Sequence, residues 1–268
     1  MIIDMHTHFY PDPVARKVMS YLRSISSCTP IGDGTWDDTR REMLEAGVDK
    51  VAVLPIAMSP HYHRSNTYAA EMAEQTGCVI PFGTIWPDEP QVEAKLEGLL
   101  ELGCKGVKLH PQNQQVAIDD PRYIRIIRAA AKLRLPVIFH GGFDPGLPPP
   151  YLACPDAIAR MLDQVEDEDG LILVAAHLGA LDMHDDVERY LVGRNIYFDT
   201  AMVHNRIPLE QFRRIVDAHG WQRIIMGSDY PWQKMSDALT DIYALGLPKE
   251  QEQAIMAGNA QRIFGLDE

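Results

Sequence analysis

The chain has 268 residues, with 25 lysines and arginines against 38 aspartates and glutamates, giving a formal charge of −13. Apolar residues make up 46% and charged residues 24%, which excludes a disordered polymer and supplies enough for a sizeable core. The acidic balance, without a lysine or arginine cluster, excludes a nucleic-acid partner, and no apolar run approaches the roughly 20 residues of a membrane span.

The N-terminus reads Met1-Ile2-Ile3-Asp4-Met5-His6, without the basic and apolar regions of a secretory signal. The expectation is a cytoplasmic protein. Cys28, Cys78, Cys104 and Cys154 form no C-x-x-C pair, so neither a thiolate metal knuckle nor a dithiol redox site is expected.

Short apolar, β-branched runs mark strands at 2–8, 50–56, 78–85, 106–110, 135–140, 171–177, 195–200 and 223–228. Helical patterns fall between them at 37–46, 66–76, 91–102, 120–132, 156–164, 185–191, 208–219 and 236–244. A further helix is expected at 249–257, followed by a closing segment at Gly258-Asn259-Ala260. Glycines stand just past several helix ends, and Pro121 sits in the first turn of its helix, where its missing N–H costs nothing.

Eight strands alternating with eight helices predict a parallel sheet, because parallel neighbours need crossover helices. The length fits a closed ring, and no G-x-G-x-x-G follows the first strand as an open dinucleotide-binding sheet would require. The expectation is one α/β domain over 1–268, a single (β/α)8 TIM barrel. Residues 9–35 read as an active-site loop with some structure between the first strand and the first helix, rather than as a domain boundary.

Histidines and acids gather at the ends of these strands. The first ends in Asp4-Met5-His6-Thr7-His8, the fourth in Lys108-Leu109-His110, and the fifth in His140. The sixth ends at His177, the seventh at Asp199 and the eighth at Ser228-Asp229. In a barrel these ends converge on one mouth, where active sites sit. His6 and His8 are two apart on a strand and share a face, so both imidazoles can hold one ion. With His140 and Asp229 they make a donor set suited to zinc or a similar divalent ion with an open position for water. The bland alternatives are polar rim residues for His6 and His8, a structural hydrogen bond for His140, a helix cap for Asp229, and a satisfied core histidine for His177.

At these residues the chain resembles the amidohydrolase superfamily, specifically the branch containing the aminocarboxymuconate-semialdehyde decarboxylase relatives. The motifs run almost end to end: Ile3-Asp4-Met5-His6-Thr7-His8, Gly106-Val107-Lys108-Leu109-His110-Pro111, Phe139-His140-Gly141, Ala176-His177-Leu178-Gly179, Met226-Gly227-Ser228-Asp229-Tyr230-Pro231 and the terminal Gly258-Asn259-Ala260. The resemblance implies a metal held by His6, His8, His140 and Asp229, with His177 beside it as a catalytic histidine. Asp229 would double as general base. One divalent ion, zinc before manganese, iron or cobalt, is implied. A carbamylated Lys108 bridging two metals is the rival arrangement; otherwise Lys108 anchors a substrate carboxylate or is an exposed cation with no role, and His110 supports a neighbouring ligand or contacts substrate. The chain keeps His6 where some decarboxylase groups of the branch carry glutamate, and it is short for the branch.

Candidate mouth residues are His61, His63, Arg64, Trp86, Phe143, His204, Arg206, Tyr230 and Trp232, of which Arg64, Trp86 and Tyr230 are expected to bind substrate. The expected activity is hydrolysis of a lactone, ester or amide in a small carboxylated compound by metal-activated water. Its alternative is non-oxidative decarboxylation of an unsaturated or aromatic acid, and a non-catalytic scaffold is a remote third. The Pro-Gly-Leu-Pro-Pro-Pro run at 145–150 shapes the entrance or supports a homodimer contact.

Overall fold

Strand β1 (Ile3–Thr7) is buried along its whole length. In the computed structural model, which describes residues 1–266, β1 pairs in parallel with β2 (Lys50–Val53), and β2 with β3 (Val79–Pro81). A second series of parallel pairs joins β4 (Gly83–Thr84), β5 (Val107–Leu109), β6 (Val137–Phe139), β7 (Leu173–Ala175), β8 (Tyr197–Asp199) and β9 (Ile224–Ile225). β3 and β4 are two halves of one run parted at Phe82, matching the predicted strand at 78–85. The first half pairs with β2 and the second with β5, so the two series are continuous.

The ring closes between its last and first strands. Met5 N–H donates to Met226 O at 2.9 Å, Asp229 N–H to His6 O at 2.8 Å, and His8 N–H to Tyr230 O at 2.8 Å. Asp4 clasps the same seam. Its Oδ1 accepts from His6 N (3.0 Å) and Ser228 N (2.9 Å), and its Oδ2 from Ser228 Oγ (2.5 Å). The fold is a single (β/α)8 barrel, as the alternation of elements predicts.

Two apolar sets hold it. Ile3, Met5, Ala52, Leu54, Ile80, Phe82, Ile138, Val174 and Ile225 meet one another from strands around the ring, which only the inside of the barrel allows. Ala257, Ala260, Ile263 and Phe264 of the C-terminal segment pack on this set. Alternate residues of the same strands, including Val51, Val107, Val137, Leu173 and Phe198, pack outward against the helices. The pairing of β1 with β2 slips between Asp4 and Thr7. Met5 keeps the inner face it shares with Ile3, and the slip lets His6 and His8 reach the mouth as well, which strict alternation would forbid.

Most helices lie where the pattern places them, as at Trp36–Ala46, where Thr35 caps Asp38 N–H and Gly47 ends the helix at φ 71°. The stretch after β1 departs from its reading as a loop, because Asp12–Ile25 is a 14-residue helix. It buries only Ala15 and Met19 against the core. Its remaining apolar side chains serve another surface, described below.

His219 shows how burial makes this fold acid-sensitive. Its ring stacks on Phe198 at 4.0 Å, Nδ1 accepts from Gly193 N–H at 3.1 Å, and Nε2 donates to Ile196 O at 2.8 Å. Both nitrogens are satisfied by the neutral ring, and burial pushes its pKa from 6.5 down to about 4. The unfolded chain therefore binds the extra proton first. The contribution is complete above the unfolded value and is lost as pH falls towards the folded one, a change of roughly 3 kcal/mol. Urea unfolding at about pH 7 and about pH 4.5 checks this: His219→Gln should lose about 2 kcal/mol less than wild type over that interval. Equal losses in both proteins would contradict it.

Candidate active site

A cavity of about 860 Å³ opens where the strands end. Its floor carries His6, His8, Lys108, His110, His140, His177 and Asp229, so the strand ends singled out in the sequence do converge. One wall is the helix Asp12–Ile25, which contributes Val14, Lys17, Val18, Tyr21, Leu22 and Ile25. Residues around the start of the helix His63–Thr76, including His61, Tyr62, Arg64 and Ser65, form another part of the wall. Among the described residues neither Lys17 nor Arg64 forms an ion pair.

His6, His8 and Asp229 bring one donor atom each to within 4.8 Å of one another. Asp229 Oδ1 lies 3.5 Å from His6 Nε2 and 3.2 Å from His8 Nε2. The far side of each ring is fixed. His6 Nδ1 lies 2.8 Å from Asp199 Oδ2, and His8 Nδ1 lies 2.8 Å from Leu54 O. Both neighbours accept hydrogen bonds, so the proton of each neutral ring sits on Nδ1 and both Nε2 lone pairs face inward. Two lone pairs and a carboxylate oxygen then face each other, an electron-rich cluster that needs a cation. This is the donor chemistry and outer support of a divalent-metal centre.

His110, His140 and Asp144 form a second cluster of the same size. Their protons are placed otherwise. His110 Nδ1 accepts from Asn113 N–H at 3.4 Å, leaving the proton of the neutral ring on Nε2, which lies 3.7 Å from Asp144 Oδ2. His140 Nε2 faces Phe143 O at 3.1 Å. Its Nδ1 lies 2.9 Å from His177 Nε2, and its ring stacks on His110 at 4.4 Å. This group presents N–H donors, so the first cluster is the better metal site. The structure thus places His140 with His177 and His110 at the edge of the His6, His8 and Asp229 cluster.

Electrostatics follow from burial. It pushes His6 and His177 well below the usual imidazole range, and His140 to about 3. Lys108, whose Nζ lies 3.1 Å from His6 Nε2, is lowered by burial to about 8 although Asp199 and Asp229 oppose the shift. For Asp229 burial works upward, but positive charge on His6 and His8 when they carry a second proton, and on Lys108, outweighs it and holds the carboxyl below its usual range. His177 and Leu178 have left-handed backbones at φ 63° and 53°, as does Asp229 at φ 68°. Such conformations persist only when neighbours impose them.

Of the expected substrate residues, Arg64, Lys108 and His110 line the cavity, and Trp86 and Tyr230 do not. Trp86 packs against the outer core. Tyr230 follows Asp229 and turns the opposite way, its hydroxyl donating to Asp38 Oδ2 at 2.5 Å, while Trp232 takes a place in the cavity. Among the other mouth candidates His61 reaches it, whereas His204 pairs with Asp241 and Arg206 with Asp182. The sequence reading missed Asp144 and Lys17, and took the wall at 12–25 for an active-site loop with some structure where the protein has a helix. The signal for the helix was a helical spacing of apolar residues at Val14, Val18, Tyr21, Leu22 and Ile25.

An amidohydrolase family model matches residues 3–266. The chain belongs to the amidohydrolase family. A search of curated proteins by sequence gave no match. Among solved structures, 5-carboxyvanillate decarboxylase from Sphingomonas paucimobilis is 17% identical, with 99% of each chain covered and a TM-score of 0.75. A dihydroxybenzoic acid decarboxylase from a Polaromonas strain, solved with manganese and the inhibitor 2-nitroresorcinol, is 16% identical. That match covers 100% of this chain and 97% of the other at a TM-score of 0.75. A probable 2-pyrone-4,6-dicarboxylic acid hydrolase from Acinetobacter baumannii, with citric acid bound, is 15% identical over 99% of each chain at 0.71. This amidohydrolase is therefore an enzyme of the amidohydrolase superfamily, and its barrel is shared with proteins named for both reaction types.

The backbone of the last strand sets how closely its neighbours approach the cluster. A Cβ on Gly227 would lie 2.9 Å from His6 Cβ. Gly227→Ala should displace His6 and weaken manganese binding by about 10-fold or more in a protein that still folds. Equilibrium dialysis with circular dichroism as the folding control checks this, and unchanged binding would contradict it.

Proposed function

We propose that this amidohydrolase is a metal-dependent, non-oxidative decarboxylase of a small unsaturated or aromatic carboxylic acid. The observation that carries the reading is the composition of the cavity. A cation-demanding cluster and Lys108 lie at the floor, under walls that are mostly apolar. Val14, Tyr21, Ile25 and Met58 leave apolar surface exposed around the entrance, as suits a ring or unsaturated chain. The decarboxylases among the structural neighbours support the same reading, one of them with manganese bound.

His6, His8 and Asp229 would hold the ion, with His140 adjacent. Bound there, a divalent ion supplies positive charge and Lewis acidity for an anionic substrate. The imidazole and carboxylate donors accept manganese as well as zinc. Lys108 attracts the substrate carboxylate, and Arg64 and Lys17 offer cationic contacts at the outer end. The apolar walls exclude water from the reacting carbon. Decarboxylation breaks the bond between that carbon and the carboxylate, releases carbon dioxide, and leaves an electron pair that must take a proton. An anionic substrate would offset the burial that keeps the free His177 ring neutral, so that in the complex His177, 2.9 Å from His140, takes up a proton and passes it to that carbon.

Hydrolysis is the second reading, favoured by one observation. Asp229 is held ionised among the histidines and Lys108, and a carboxylate there can take a proton from water. The pyrone-dicarboxylic acid hydrolase neighbour is consistent with that role.

The test is a panel of aromatic and unsaturated acids, lactones and amides with manganese-loaded protein in deuterated buffer. A decarboxylase releases one carbon dioxide per substrate consumed, and its product carries one solvent deuteron on carbon. Substrate loss without carbon dioxide would overturn the reading in favour of hydrolysis. His177→Asn should lower kcat by about 10²- to 10⁴-fold with metal content unchanged. Asp229→Ala should lose the metal itself.

A further inference from the structure

Asp199, which fixes the far side of the His6 ring, touches both halves of the site. It is fully buried at the end of β8. Its Oδ1 accepts two backbone bonds, from His177 N–H at 2.8 Å and Ala201 N–H at 3.1 Å. Its Oδ2 lies 2.8 Å from His6 Nδ1. Its own carbonyl accepts from Leu178 N–H at 2.7 Å. One residue therefore anchors a ring of the metal cluster and the left-handed His177-Leu178 backbone.

We infer that Asp199 is a positioning residue that sets the tautomer of His6 and ties the metal centre to the loop bearing His177. The two oxygens of Asp199 are not interchangeable. Backbone N–H groups fix Oδ1 as an acceptor, and those donors cannot turn away without releasing the strained loop. Oδ2 is thereby left to the ring, and its acceptor character forces the proton of neutral His6 onto Nδ1. The opposite face agrees: Lys108 Nζ approaches His6 Nε2 at 3.1 Å, and an ammonium can only donate. His6 is thus held from both sides with its Nε2 lone pair towards His8 and Asp229.

This asymmetry makes one conservative substitution selective. In Asp199→Asn the side-chain oxygen must remain at Oδ1 to keep the two backbone donors, so the NH2 group faces His6 Nδ1. That nitrogen must then accept, the ring proton is driven to Nε2, where Lys108 must turn away or give up its own proton, and the lone pair needed for a metal is lost. The fold keeps its backbone bonds while the centre loses a ligand. A residue with a merely structural role would show the reverse, a destabilised chain with an unaltered imidazole.

The inference rests on the reading of His6, His8 and Asp229 as the metal cluster, and the test separates the two. The full chain, stripped with chelator, is titrated with manganese alone as wild type and as Asp199→Asn. The ring nitrogens of His6 are followed by ¹⁵N NMR of histidine-labelled protein. The expected result is an unchanged melting transition of the metal-free variant, a loss of about 10- to 100-fold in manganese affinity, and a shift of the His6 proton from Nδ1 to Nε2. Equal affinity in the two proteins, or a variant His6 still protonated on Nδ1, overturns the inference. If the variant does not fold, the wild-type spectrum decides, because a His6 proton on Nε2 in the metal-free wild type is equally fatal. Wild type that binds no manganese removes the metal reading instead, and the tautomer measurement still stands as the test of Asp199.

Discussion

Joining the last strand to the first is the constraint on which the site depends. Asp4 and Ser228, 224 residues apart in sequence, are joined by two hydrogen bonds within the seam. His6 and Asp229 meet through their backbones one step further along. A buried carboxyl such as Asp4 is costly unless its oxygens are satisfied, and burial raises its pKa to about 7. The seam offers it three donors, which makes the correct register between the ends better than its neighbours. The same register sets His6, His8 and Asp229 around one point.

What gathers there conflicts with the rest of the molecule. The chain carries a formal charge of −13, yet its mouth bears Lys17, Arg64 and Lys108 beside a cluster that needs a cation. Poorly screened charges at the bottom of an apolar cavity act at longer range than charges on the open surface. An anionic compound is discouraged by the outer surface and attracted at the mouth. That difference selects for molecules small enough to enter.

The barrel was legible because its signals are local and repeated. Runs of β-branched residues alternate with capped helices, and strand ends finish in His6, His8, Lys108, His140, His177 and Asp229. Their convergence follows from topology alone. What periodicity does not encode is which way a ring turns. The position of His140 depends on Phe143 O and His177, and the orientation of His6 on Asp199, a residue distant in sequence. Tyr230 illustrates the same limit, since its direction is settled by Asp38 across the fold. The helix at Asp12–Ile25 was missed for a different reason: its apolar stripe faces a cavity, so it lacks the buried face that marks a core helix.

The position of the seam has a consequence for how the protein comes into being. Of the three cluster residues, two emerge in the first turns of synthesis and the third only after more than four-fifths of the chain. No partial product holding the first seven strand positions can assemble the cluster, whatever else it has folded. Non-local pairing of this kind is slow and comes late. On the proposed reading of the cluster, capacity to bind metal is a report of completion: a chain that takes up the ion has already closed its ring.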